Sequence, residues 1–209
     1  MKKEMRVFTF DVHSEENDEH GHFLTGRPIV FGQRTNVGKF DEIIEPGALD
    51  KTDLKDVRFL VNHNTDMIPL ARSRNNNENS TMQLIPDEYG MMMRADLDIE
   101  NNAEARSLYS AVKRGDITGM SFMFTVDKDK WDHPKADDRT RHILSLDRVF
   151  EVSAVTFPAY VQTSIQARGL SDELESLPES LESAIAEEDA IERKKKQILL
   201  MIEVQENDD

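Results

Sequence analysis

Gly115-Asp116-Ile117-Thr118-Gly119-Met120-Ser121-Phe122-Met123-Phe124-Thr125-Val126 is the stretch on which the fold turns. Two glycines let the chain turn sharply, and a run of aromatic and β-branched residues follows that suits a pleated, half-buried strand. Other runs of this kind, bounded by turn formers, predict strands near Arg6–Val12, Pro28–Gln33, Val57–Asn62, Thr81–Ile85, Met91–Leu97, Ser121–Val126, His142–Asp147 and Val149–Phe157. Eight short strands suggest a barrel or a sandwich. Two segments break the rhythm. Asn101-Asn102-Ala103-Glu104 has the spacing of a capping box, Ala105, Leu108 and Val112 share one face, and Gly115 terminates, which predicts a helix of about four turns. Pro46 through Leu54 predicts a shorter helical turn. Ser14–Gly26, Arg74–Ser80 and Asp127–Arg141 are polar and read as loops.

Charge divides the chain. Of 209 residues, 41 are acidic and 26 are Lys or Arg, giving a net charge of -15. The last 39 residues, from Ser171, carry 13 acidic and 4 basic residues and no aromatic. The boundaries read as a folded domain over 1–168 and an acidic helical tail over 169–209. Pro178 suits the first turn of a helix running to about Val204. Leu177, Leu181, Ala184, Glu188, Ile191, Lys195, Ile198 and Ile202 follow a three-and-four spacing with six apolar positions of eight, a weak coiled-coil seam that reads either as self-association or as a solvated helix docking on its own domain.

Composition excludes several chemistries. Cysteine is absent, which removes disulfides, thiolate zinc sites and a cysteine nucleophile. The acidic balance argues against general nucleic-acid binding, which needs clustered Lys and Arg on phosphates. No apolar run approaches the roughly 18 residues of a membrane span. The expectation is a soluble, intracellular protein with protein partners.

Three residues on three strands could do chemistry together. His63 ends the run Val57-Arg58-Phe59-Leu60-Val61-Asn62-His63, and period-two counting puts it on the face of Val57, Phe59 and Val61. Ser121 opens an apolar strand, where neighbouring backbone N–H groups could bind an oxyanion. Glu151 interrupts Phe150-Glu151-Val152-Ser153-Ala154-Val155, and a carboxylate in a run fit for burial needs a partner, either an arginine or the imidazole of His63. Histidine, serine and carboxylate form the roles of an acyl-transfer triad. His142 opens a strand and is the spare candidate. His13, His20 and His22 crowd a polar, acidic stretch, but their spacing matches no zinc signature, and no metal is assigned.

The order of segments resembles a known family. Phe31-Gly32, Ile44-Glu45-Pro46-Gly47-Ala48-Leu49, Asn62-His63-Asn64 with Pro69-Leu70-Ala71-Arg72-Ser73, Lys113-Arg114-Gly115-Asp116 through Phe124, and Glu151 through Thr156 with Pro158-Ala159-Tyr160 follow one another as in the prohead maturation proteases of HK97-type tailed phages, over roughly Val30 to Arg168. That family is similar to the herpesvirus assemblins, and the resemblance implies a β-rich α+β fold, a closed or nearly closed β-barrel of about seven or eight strands with a few surrounding helices.

What the resemblance implies for the site falls on His63 as base and Ser121 as nucleophile, with Glu151 where the assemblins carry their third member. One departure stands out: Leu70-Ala71-Arg72 replaces the family's Leu-Gly-Arg, which would strain the chain if that position needs φ > 0. The implied activity is that of a serine endopeptidase needing no cofactor. It would cleave the scaffolding segment of the major capsid protein, and itself, in the host cytoplasm inside the assembling procapsid. The other reading is a catalytically silent barrel serving as an internal scaffolding or capsid-interaction protein.

Overall fold

Two long strands organise the molecule. In the computed structural model, which describes residues 3–8, 12–17, 21–156 and 177–207, β10 (Gly119–Asp132) and β11 (Thr140–Val155) form an antiparallel hairpin whose register pairs Ser121 with Ser153 and Met123 with Glu151. Repeated register shifts between Met123 and Asp129 bend this ribbon, as bulges do. On its far side β10 pairs with β1 (Glu4–Phe8). On its own far side β11 takes two parallel partners in succession, β5 (Asp41–Ile44) along its first half and β6 (Arg58–Val61) along its second. Two-residue strands β4 (Thr35–Asn36) and β7 (Ala71–Arg72) pair with β5 and β6, completing a seven-stranded sheet.

A second sheet of four strands has the order β2 (Val12–Asn17), β3 (Gly21–Val30), β9 (Gly90–Asp96), β8 (Met82–Asp87). Phe59, Phe122, Phe124, Val152 and Ala154 of the large sheet bury in one cluster with Leu24, Ile29, Met91 and Met93 of the small one. Phe122 and Phe124 stack at 4.9 Å. Helix α1 (Ala103–Arg114) adds Leu108 and Val112 to this core. Asn102, one residue later than the capping-box reading placed it, accepts from the N–H groups of Glu104 and Ala105, and Gly115 ends the helix at φ 78°.

Neither sheet closes, so the expected closed or nearly closed barrel is wrong. Closure requires a ladder that runs unbroken round the sheet. Here β4 and β7 are two residues long, too short to carry pairing onward to β2 or β8. The sheets are joined by core packing and by single bonds such as Gly32 N–H, just past β3, to Ile44 O of β5. Counting strands could not separate these outcomes, because a sandwich and a barrel bury the same alternating faces.

Several local expectations also change. Residues 14–17 and 21–26 are not loop but paired antiparallel strand, in β2 and β3, with Glu15 and Glu16 exposed. Asp127–Arg141 is mostly strand, held by the bond from Arg141 Nε to Asp129 and by the edge-on rings of Phe40 and Trp131. The two strands expected over His142–Asp147 and Val149–Phe157 are one strand, β11. Pro46–Leu54 is a succession of turns. Pro158-Ala159-Tyr160 and His20 lie outside the described residues.

Helix α2 (Glu179–Asn207) begins directly after Pro178. Its first turns dock on the β10–β11 ribbon: Leu181 is buried, Trp131 Nε1 donates to Ser180 Oγ at 3.0 Å, and Lys135 pairs with Asp189 and Glu192. The seam is therefore divided. Leu181 is spent on its own domain, while Ile191, Ile198 and Ile202 are exposed. No helix among the described residues is long and apolar enough to cross a membrane.

Candidate functional site around His63

The parallel ladder between β6 and β11 continues one step past Val61, where Asn62 N–H donates to Ala154 O at 2.9 Å. Asn62 then exchanges a reciprocal pair of 2.9 Å bonds with Thr156: its amide nitrogen donates to Oγ1 and its amide oxygen accepts from the Thr156 N–H. With the strand end clamped, the chain turns through two left-handed residues, Asn62 at φ 51° and His63 at φ 57°. Asn and His are among the residues that tolerate this region best.

Those two left-handed residues overturn the period-two expectation for His63. Phe59 and Val61 face the core with Phe122 and Val152, whereas His63 reaches the opposite face of the sheet, which carries Ser121, Glu151 and Ser153. There His63 Nδ1 lies 2.5 Å from Glu151 Oε1, both side chains being about 5% exposed. A carboxylate at that distance fixes the proton on Nδ1 and leaves the lone pair on Nε2. Nε2 is buried without a hydrogen-bond partner among the described residues. A buried unpaired nitrogen costs about 1–3 kcal/mol, which an arriving hydroxyl would recover.

The alternative partner for Glu151 is otherwise engaged. Arg58 stands opposite Glu151 in the ladder but turns toward Asp56, at 3.5 Å.

Ser121 lies on the same face, directly across the ladder from Ser153, and is fully buried. Its Oγ donates to Arg6 O of β1 at 2.7 Å. Ladders on both sides of Ser121 engage the backbone of β10, so an oxyanion would need donors from another segment rather than from Ser121 and its strand neighbours. Arg72 is bound to Asp56, and Ala71 sits in β7 without positive φ, so the missing glycine carries no strain.

Two other histidines among the described residues, His142 and His22, have partners away from Glu151. His142 Nδ1 meets Glu45 at 2.6 Å and its Nε2 meets Asp132 at 3.0 Å, at the opposite end of β11 from Glu151. His22 packs edge-on against Tyr109, and His13 is exposed on β2.

Two features of the site escaped sequence reading. Ser153 Oγ donates to Glu151 Oε2 at 2.5 Å and accepts from His63 N–H at 3.2 Å. Its signal was its place two residues from Glu151 on one strand face. Arg6, held by Glu42 and Glu4, two carboxylates that Arg141 also binds, anchors β1 beside β10 and so supplies the carbonyl that Ser121 meets. Nothing local in the sequence pairs residues so far apart.

A groove of about 550 Å³ opens beside the turn, between β6 and α1, with Val61, Met67, Leu108 and Ile117 in its lining and Asn62 and Asn64 flanking His63.

The family model described as caudovirus prohead serine protease matches residues 8–176, and no curated protein or solved structure matches the chain. Because that match covers most of the 209 residues, the chain belongs to the prohead serine protease family of tailed phages, serine peptidases that act in the prohead among capsid proteins.

Proposed function

We propose that this chain is the serine endopeptidase of procapsid maturation in its phage, with Ser121 as nucleophile, His63 as general base and then general acid, and Glu151 as the group that orients and charge-balances His63. The observation that carries this reading is the His63–Glu151 pair, buried on the face that holds Ser121, with Nε2 unbonded among the described residues. In the first step Ser121 Oγ turns from Arg6 O and bonds to the scissile carbonyl carbon as its proton passes to Nε2. The imidazolium, balanced by Glu151, then protonates the leaving amine, and an acyl-enzyme remains. Water repeats the sequence, giving its proton to Nε2 and releasing the new carboxylate with Ser121 restored.

The substrate is the scaffolding segment of the major capsid protein, together with the protease itself, in the host cytoplasm inside the assembling procapsid. Residues 1–168 act as the protease domain and 169–209 as an acidic tail that docks, with self-association through its exposed face.

The second reading, a catalytically silent scaffolding or capsid-interaction protein, draws on the full burial of Ser121 and its bond to Arg6 O. A serine-directed phosphonate separates the two. Labelling of the wild-type chain that vanishes in Ser121→Ala supports the protease. Absence of labelling on folded protein, with and without capsid protein, supports the scaffold.

A further inference from the structure

Ser153 closes a ring of contacts that Glu151 alone leaves open. The carboxylate of Glu151 reaches the His63 ring through Oε1, and its other oxygen accepts from Ser153 Oγ, which in turn accepts from the backbone N–H of the same His63. Side chain and main chain of His63 are thus fixed from one strand, β11, by two residues on one face. Ser153 is fully buried, so no solvent can replace its bond to Oε2. A hydroxyl has one proton and two lone pairs. The proton of Ser153 is given to Glu151 and a lone pair is taken by His63 N–H, which separates this serine from Ser121, its neighbour across the ladder.

From this geometry we infer that Ser153 is a positioning residue for the reaction: it pins the free oxygen of Glu151 and the main chain of His63, so that Oε1 meets Nδ1 in one orientation and Nε2 keeps one direction. The inference deepens the proposed function and rests on that reading of Ser121, His63 and Glu151. A Glu side chain on a strand has three rotatable bonds, and a single contact to an imidazole does not fix them. Outer partners that orient metal-bound histidines typically change affinity or activity by about 10- to 100-fold when removed, and the same order is expected for an orienting contact here.

The test compares Ser153→Ala, Ser153→Cys and Ser153→Thr in the full chain, alone and combined with Glu151→Gln. Cysteine keeps much of the size with a weak donor, and so serves if the alanine variant folds poorly. Three quantities are read: kcat and KM on a capsid-derived peptide, thermal midpoint, and the downfield proton resonance of the Nδ1–H···Oε1 bond. The expected result is a kcat lowered about 10- to 100-fold with KM nearly unchanged in the Ala and Cys variants. Their Nδ1 proton signal shifts or broadens, Thr recovers both, and no further loss appears on the Glu151→Gln background. An unchanged kcat and an unchanged proton signal in Ser153→Cys would overturn the inference, as would full additivity with Glu151→Gln. The proton resonance reports Ser153 independently of turnover. If Ser121→Ala still cleaves, the protease assignment fails on its own, and the resonance still decides whether Ser153 holds the pair.

Discussion

His63 and Glu151 are 88 positions apart in sequence and 2.5 Å apart at Nδ1 and Oε1. The contact exists because β6 lies parallel to β11 with Arg58 opposite Glu151, and because two left-handed residues then carry His63 back over the strand beside it. A carboxylate in that place favours the tautomer with its proton on Nδ1, the one the proposed reaction needs.

Glu151→Gln therefore leaves the fold intact and reduces turnover by roughly 10²- to 10⁴-fold, because an amide can donate to Nδ1 and favour the wrong tautomer. Steady-state cleavage beside circular dichroism checks this. A loss of only about twofold would place the orienting role elsewhere.

The ion network that moors β1 gives a stability prediction. Glu42 is 2% exposed and faces Arg6 and Arg141, so Glu42→Ala leaves two buried guanidiniums short of a counter-charge at a cost of about 3–5 kcal/mol. Urea unfolding should show this as a lowered midpoint.

The same network has a pH signature. Burial pushes Glu4 up, but the hydrogen bond and charge of Arg141 and the charge of Arg6 hold its carboxyl below the ordinary value. A depressed folded-state pKa contributes stability that is present above the unfolded value of about 4.3 and is lost as pH falls through the folded one. The stability difference between wild type and Glu4→Gln should accordingly shrink below pH 4. A difference constant down to the acid transition would contradict the mooring role of Glu4.

The tail is predicted to serve docking rather than folding. Leu181 and the Lys135 pairs hold its first turns to the ribbon, while Ile198 through Ile202 stand exposed. A chain ending at Gly169 should fold and cleave peptide, yet enter proheads poorly. Docking of the full chain should weaken with salt, since exposed charges are screened within about 8 Å at physiological ionic strength. Circular dichroism, peptide cleavage and co-sedimentation with proheads compare the two lengths. An unfolded truncation would assign the tail to the core.

The sequence showed its strands wherever both faces or one face were strongly apolar, as at Met91–Leu97 and Ser121–Val126. It hid β2 and the outer half of the β10–β11 ribbon, whose polar residues are ordered by partners distant in the chain such as Arg141 for Asp129. Closure was illegible for a related reason: the edges β4 and β7 are two residues long, and nothing in a run of residues says where pairing stops. His63, Ser121 and Glu151 were legible as chemical types in an order of segments. The face of His63 was not, since period-two counting assumes extended backbone and Asn62 and His63 leave it. Ser153 was hidden because a serine on a strand has no chemistry until its neighbours across the ladder are known.

Mapping new N-termini by mass spectrometry, after co-expression of this chain with the capsid protein of its own phage, tests the central claim most directly. With the wild-type chain, cleavage within the scaffolding segment of the capsid protein is expected. Ser121→Ala and His63→Ala should each remove it essentially completely, and the double variant should lose little more, because nucleophile and base act as a unit. The same N-termini appearing with folded Ser121→Ala would contradict the account.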